Sequence, residues 1–152
     1  MKNYKYLPSS NQPNVELSPL HWISRIHFKY TQEIDDILKR YQLDASRHWL
    51  MHAIYNAPNA SISQLAEILA YRMSTTTKLV QRLKEQSFVE THPCSEDARI
   101  TRVKLTQQGQ DKVIRMNELL EVKLSNTFEG LTASQIEKLA QQLKRLFQNL
   151  TR

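Results

Sequence analysis

The sequence predicts a mainly helical fold with one small β-hairpin, its elements in the order ααααββαα. Three observations carry this expectation. Apolar residues recur at steps of three and four through most of the chain, the spacing that gives a helix one buried face. Most of these runs are preceded by a helix-start signal: Ser18-Pro19, Asp44, the capping boxes Ser61–Gln64 and Thr132–Gln135, and Thr106. The chain has only two Gly and five Pro in 152 residues, too few for a turn-rich all-β sandwich.

Residues 1–17 are polar, carry Pro8 and Pro13, and read as an extended arm. Ser18 caps a long helix over about 19–41, with Pro19 at the first position, where its missing N–H costs nothing. Its apolar side is Ile23, Ile26, His27, Tyr30, Ile34, Ile37, Leu38 and Tyr41. Asp44 caps a second helix that turns Trp49, Leu50, Ala53 and Ile54 inward and ends at Pro58-Asn59. Ser61 starts a short third helix with Leu65, Ile68 and Leu69 as its apolar positions. After Ala70-Tyr71 the phase restarts at Met73, Thr76, Leu79, Val80 and Leu83, which gives a fourth helix over about 74–86. Phe88–His92 and Ile100–Leu105 flank a polar turn and read as a hairpin. Thr106 caps a fifth helix of about 107–128, striped by Val113, Met116, Leu120 and Leu124. Gly130 breaks it, and a sixth helix follows with Ile136, Leu139, Leu143, Leu146, Phe147 and Leu150.

Composition bounds the function. Apolar residues at 40% and charged residues at 24% suit a folded core. The single Cys excludes an intramolecular disulfide framework and fits a reducing compartment. No apolar run reaches the roughly 18 residues of a membrane span, and MKNYKYLPSS lacks a signal-peptide core, so the expectation is a cytoplasmic protein without a membrane partner. The net charge is +6 and the pI about 9.5. That excess is spread evenly: residues 1–60, 61–105 and 106–152 each hold seven basic and five acidic side chains. A polyanion-binding face must therefore be assembled by folding.

Residues 61–105 carry the chemistry. A helix entering the major groove needs small polar and amide side chains at its exposed N-terminal positions. Between the inward positions of the fourth helix lie Ser74, Thr75, Thr77, Lys78, Gln81 and Arg82, with no acidic residue before Glu85. A solvated helix usually mixes Glu with Lys. In the hairpin, Arg99 follows Asp97 on a polar tip, with Arg102 and Lys104 on the return strand; a thin ribbon bearing an Arg suits the minor groove. Asp97 is expected to hold Arg99 or another basic side chain in place.

Leu65-Ala66-Glu67, Ser74-Thr75-Thr76-Thr77-Lys78-Leu79-Val80-Gln81-Arg82-Leu83, Phe88-Val89-Glu90, Asp97-Ala98-Arg99 and Leu105-Thr106-Gln107-Gln108-Gly109 together resemble the multiple-antibiotic-resistance regulator (MarR) family of winged-helix proteins. The resemblance extends over about 18–150. It implies a winged helix-turn-helix lobe at 61–105 and a helical dimerisation region formed by 18–60 and 106–152. It further implies a homodimeric transcriptional regulator, usually a repressor, on a pseudo-palindromic site in double-stranded DNA. The residues expected at DNA are then Ser74, Thr75, Thr77, Lys78 and Gln81 at bases, Ser63, Gln64 and Arg82 at phosphates, and Asp97 and Arg99 in the wing. Two positions depart from the family pattern. Ser87 and Ala70 stand where the family usually or often has Gly, and both are candidates for positive φ.

The first, fifth and sixth helices are too apolar to stand alone. A second copy would cover them, and the alternative is that the sixth helix folds back on its own chain. The resemblance also implies a small-molecule effector, with candidate contacts His21, Trp22, Arg25, Tyr30, Arg47, His48, Trp49 and His52. Rings beside an Arg suit an aromatic carboxylate such as a phenolic acid. Core packing for Trp22 and Trp49, and solvated or paired charges for Arg25 and Arg47, are the competing readings. His48 and His52 lie four apart, but no Cys or acid stands near them in sequence, so no metal is assigned. Cys94 is expected to be a free, solvated thiol. Without G-x-S-x-G, a P-loop or H-E-x-x-H, the chain is expected to have neither catalytic residues nor cofactor. A winged-helix protein-interaction module without DNA binding is the rival reading.

Overall fold

The computed structural model describes residues 14–151. Its helices are α1 (Pro19–Leu38), α2 (Ala45–Asn56), α3 (Ile62–Ile68), α4 (Met73–Glu85), α5 (Gln107–Thr127) and α6 (Ala133–Leu150), with strands β1 (Val89–Pro93) and β2 (Thr101–Leu105) between α4 and α5. The ααααββαα order holds. The described residues divide into two compact units, one ending at Met116 and the other starting at Asn117. No helix among them is long and apolar enough to cross a membrane.

The arm and the first helix end differently from the expectation. Residues 1–13 lie outside the described residues. Val15–Leu17 form a 3-10 turn, not an extended segment, because the Asn14 side chain accepts a hydrogen bond from Glu16 N at 3.0 Å. The Glu16 carbonyl accepts one from Trp22 Nε1 at 2.8 Å. Pro19 occupies the first turn of α1, but the Ser18 side chain makes no capping bond. The helix stops at Leu38, and Lys39–Tyr41 tighten into a 3-10 turn closed by Gln42 at φ 60°.

The other helix starts follow the sequence. Asp44 accepts from Arg47 N at 2.8 Å. Ser61 and Gln64 form a reciprocal capping box, as do Thr132 and Gln135. Thr106 Oγ1 accepts from Gly109 N at 3.0 Å and donates to the Ser87 carbonyl at 2.7 Å, so one hydroxyl both caps α5 and ties it to the end of α4.

The first unit is built round Ile34, Leu38, Leu50, Met51, Ile54, Leu65, Leu83, Val103, Val113 and Met116, all nearly inaccessible. β1 and β2 pair antiparallel from Val89↔Leu105 to Pro93↔Thr101. The stretch before α3 joins the edge of β2: Asn59 N donates to Val103 O, Val103 N to Ala60 O, and Ser61 bridges Arg102. This short third edge pins α3 to the hairpin. Two expected inward positions face out instead: Ile68 and Met73 are about half exposed. They flank the α3–α4 turn, where no neighbour among the described residues covers them.

Ala70 and Ser87 have φ values of 53° and 60°. Each closes a helix by the same pattern. Tyr71 N donates to Ala66 O and Phe88 N to Leu83 O, five residues back in each case. This Schellman geometry places the residue after the helix in the left-handed region, where a Cβ costs about 1 kcal/mol. The fold keeps the geometry without the glycine.

In the second unit α6 has no buried residue. Leu139, Leu143, Phe147 and Leu150 lie exposed at helical spacing. In the first unit Leu20, Trp22, Ile23, Ile26 and Phe28 of α1 are exposed as well.

Candidate nucleic-acid interface

The α3–turn–α4 pair is a helix-turn-helix, and β1–β2 is the ribbon beside it. Thr76, Leu79, Val80 and Leu83 anchor α4 in the core. Ser74, Thr75, Thr77, Lys78, Gln81 and Arg82 are all exposed on its other side, as the sequence predicts. Ser63 and Gln64 are exposed at the start of α3. The Ser63 hydroxyl bonds to that of Ser61 at 2.8 Å, and the Gln64 amide oxygen accepts from Ser61 N at 2.9 Å. What Gln64 keeps for a partner is its NH₂.

Hydrogen bonds within α4 sort the polar side chains. Thr77 Oγ1 donates to the Met73 carbonyl at 2.9 Å, and Gln81 Nε2 donates to Glu85 at 3.1 Å. The one hydrogen of Thr77 is thus used inside the helix, and Gln81 keeps one of its two N–H donors. Glu85 is held at the far end, leaving the N-terminal face without a carboxylate. Lys78, Arg82 and Arg99 form no ion pair among the described residues, whereas Lys104 pairs with Glu90 at 3.0 Å. Sequence reasoning misses Arg72, an exposed cation at the N-cap of α4. Its signal is a basic residue beside the helix start, hidden when that start is placed at Ser74.

In the wing, Asp97 Oδ1 accepts from the backbone N–H of Arg99 at 2.9 Å. It therefore shapes the turn instead of holding a basic side chain, because the two residues are only two apart and an Asx turn forms first. Arg99 is left exposed at the tip. Cys94 is buried, not solvated, because the turn folds over it: Cys94 N donates to Ile100 O at 2.8 Å. The Arg102 guanidinium and the backbone N–H groups of Glu96 and Asp97 hold its thiol below the ordinary range.

The candidate effector residues fall into four places. Tyr30 of α1 stacks on Trp49 of α2, ring centroids 6.3 Å apart and 15° from parallel, with His27 at 5.9 Å from the same ring. His21, Trp22 and Arg25 form a separate exposed group, with Arg25 5.4 Å over the Trp22 ring. Arg47 belongs to neither. It bonds Asp44 at 3.0 Å and Gln86 at 2.9 Å, and Gln86 in turn donates to the Gln42 carbonyl, a clasp between α2 and the end of α4.

His48 is buried beside His52, and its Nδ1 has no hydrogen-bond partner among the described residues. Burial, aided by the neighbouring His52, pushes its pKa down to about 4 from an ordinary 6.5. The folded state therefore binds this proton less readily than the unfolded chain. The stability tied to neutral His48 is complete above pH 6.5 and drains away as pH falls towards 4. Urea unfolding at pH 5 should show about 2 kcal/mol less stability than at pH 8 from this group. His48→Gln should flatten the profile by that amount; an unchanged profile would refute the assignment. Among the described residues no group of three His, Cys, Asp or Glu is placed to hold a metal ion.

A helix-turn-helix with a hairpin wing, a polar outer face free of carboxylates before Glu85 and an exposed arginine at the wing tip defines the class of winged-helix transcriptional regulators. A family model described as the MarR family matches residues 41–100. The HTH-type transcriptional repressor IacR of Pseudomonas putida is 34% identical over 143 residues, covering 94% of this chain and 86% of that protein. This chain belongs to the MarR family. Among solved structures, a mutant MarR from E. coli complexed with operator DNA superposes with a TM-score of 0.76 at 24% identity, covering 86% of this chain and 95% of that one. PcaV from Streptomyces coelicolor, in complex with its natural ligand, superposes at 0.79 with 15% identity, covering 89% and 95%.

Proposed function

We propose that this chain is a repressor that binds a pseudo-palindromic site in duplex DNA as a homodimer and lets go when a small aromatic effector binds. The observation that carries the reading is the outer face of α4 with the wing tip: Ser74, Thr75, Lys78, Arg82 and Arg99 are exposed, and α4 carries no carboxylate before Glu85. A solvated helix needs no such bias. Residues 61–105 form the DNA-reading lobe; α1, α5 and α6 form the dimerisation region. The exposed apolar stripes of α1 and α6 support a second copy as their cover, since exposed patches of this kind mark association surfaces. Two lobes about 34 Å apart would meet successive major grooves. IacR, a repressor, and a MarR bound to operator DNA agree with this.

The effector reading rests on the Tyr30–Trp49 stack and the unpartnered His48 Nδ1, which offer a ring surface and a hydrogen-bonding atom. Arg47 is engaged by Asp44 and Gln86, which leaves Arg25, beside the Trp22 ring and apart from the Tyr30–Trp49 stack, as the candidate cation for a carboxylate. Fluorescence anisotropy with duplexes covering the DNA upstream of its own gene tests the reading. Three cations in each of two protomers (Lys78, Arg82 and Arg99) should give a slope of log affinity against log salt of roughly −5. A panel of aromatic carboxylates should then release the duplex. Duplex binding that ignores salt, or no binding to any duplex, would favour the protein-interaction module.

A further inference from the structure

Three threonines run in a row at the head of α4, and the structure uses each differently. Thr76 is fully buried, its hydroxyl donating to the Arg72 carbonyl at 3.2 Å. Thr75 is exposed with no intramolecular side-chain bond among the described residues. Thr77 is exposed, yet its hydroxyl hydrogen goes back to the Met73 carbonyl at 2.9 Å. Back-bonding of this kind pins the side-chain rotamer. With that hydrogen committed, Thr77 has no donor left for a base; what its side chain still brings to a groove is an acceptor lone pair and the Cγ2 methyl. In the major groove the one apolar feature of a base edge is the 5-methyl of thymine.

We propose that Thr77 is a specificity-determining residue that reads a thymine in each half-site through methyl–methyl contact, not through its hydroxyl. The inference rests on the DNA-binding reading above and narrows it to one base and one atom. Neighbouring groups fit this division of labour. Lys78 and Thr75 supply donors, while Gln81, with one N–H held by Glu85, supplies an acceptor oxygen and its second N–H.

The experiment uses the full chain and a fluorescein-labelled duplex enriched by that chain from a randomised 40-base-pair library. Each thymine is replaced by deoxyuridine, which lacks only the methyl, symmetrically in both half-sites. One position should weaken wild-type binding roughly tenfold, the effect of losing a buried methyl contact twice. Thr77→Ser, which keeps the hydroxyl and loses the methyl, should bind the thymine duplex as weakly and ignore the replacement there. Thr77→Val, which keeps the methyl, should retain both affinity and sensitivity. A merely structural Thr77 would not make binding depend on a methyl of the DNA. An enriched duplex with a flat uracil scan, or a Thr77→Ser variant that keeps the sensitivity, overturns this assignment alone. Failure to enrich any duplex overturns the DNA-binding reading and this inference with it.

Discussion

Replacing Lys78 and Arg99 together with alanine is expected to weaken specific duplex binding roughly a thousandfold at moderate salt and to flatten the salt slope by about four. The size follows from symmetry. A homodimer loses each side chain twice, so four cations that displace counterions from the duplex disappear. Each phosphate contact contributes on the order of 1 kcal/mol, and a tenfold change takes about 1.4 kcal/mol. Neither cation has an ion-pair partner among the described residues, so removing it leaves no buried carboxylate uncompensated and the fold should be unaffected. Lys29→Ala is the control. It removes the same charge from a lysine paired with Glu33 at 2.8 Å on α1, away from the helix-turn-helix, and should change affinity by less than about threefold. Anisotropy titrations at four salt concentrations decide. If the double variant and Lys29→Ala share one slope, Lys78 and Arg99 do not reach the duplex.

Gly109→Ala should lower stability by about 3 kcal/mol, read as the urea midpoint or as a melting temperature lower by roughly 10 °C. A Cβ there would overlap the Phe88 carbonyl oxygen and lie 2.9 Å from its carbon. The obstacle is backbone, which cannot rotate aside. That carbonyl accepts from Thr106 N at 3.1 Å, and Lys112 lies 5.4 Å over the Phe88 ring, so α5 would have to lift away from the junction that also holds Ser87. Gly130→Ala is the comparison, because nothing stands within 4 Å of a Cβ there and only the φ of +83° resists. It should cost about 1 kcal/mol. Equal effects at the two glycines would mean that the α4–α5 junction is looser than its geometry.

Much of the interface is legible in the order of residues along the chain. The exposed polar face of α4 follows from Thr76, Leu79, Val80 and Leu83 recurring at helical spacing, which leaves Ser74, Thr75, Thr77, Lys78, Gln81 and Arg82 on the other side. The capping boxes at Ser61 and Thr132 and the cap at Asp44 mark three helix starts, because capping is local chemistry within four residues. What escapes such reasoning is non-local or finer than a residue type. Arg47 reads as a free cation until folding brings Gln86 to it, 39 positions away. Cys94 reads as solvated until the wing turn closes over it. Thr77 reads as a donor until its rotamer shows that hydrogen used inside the helix, and one of the two Gln81 donors goes the same way.

The amino-acid sequence alone dictates the order of elements, most of the helix starts, the family and the polar outer face of α4. All of these depend on periodicity and on contacts between residues a few positions apart. Three-dimensional packing settles which charges remain free, which hydrogen is spent inside the helix, and why Gly109 tolerates no side chain. Those outcomes depend on which distant backbone or side chain arrives at van der Waals distance, and no local pattern in the chain encodes that.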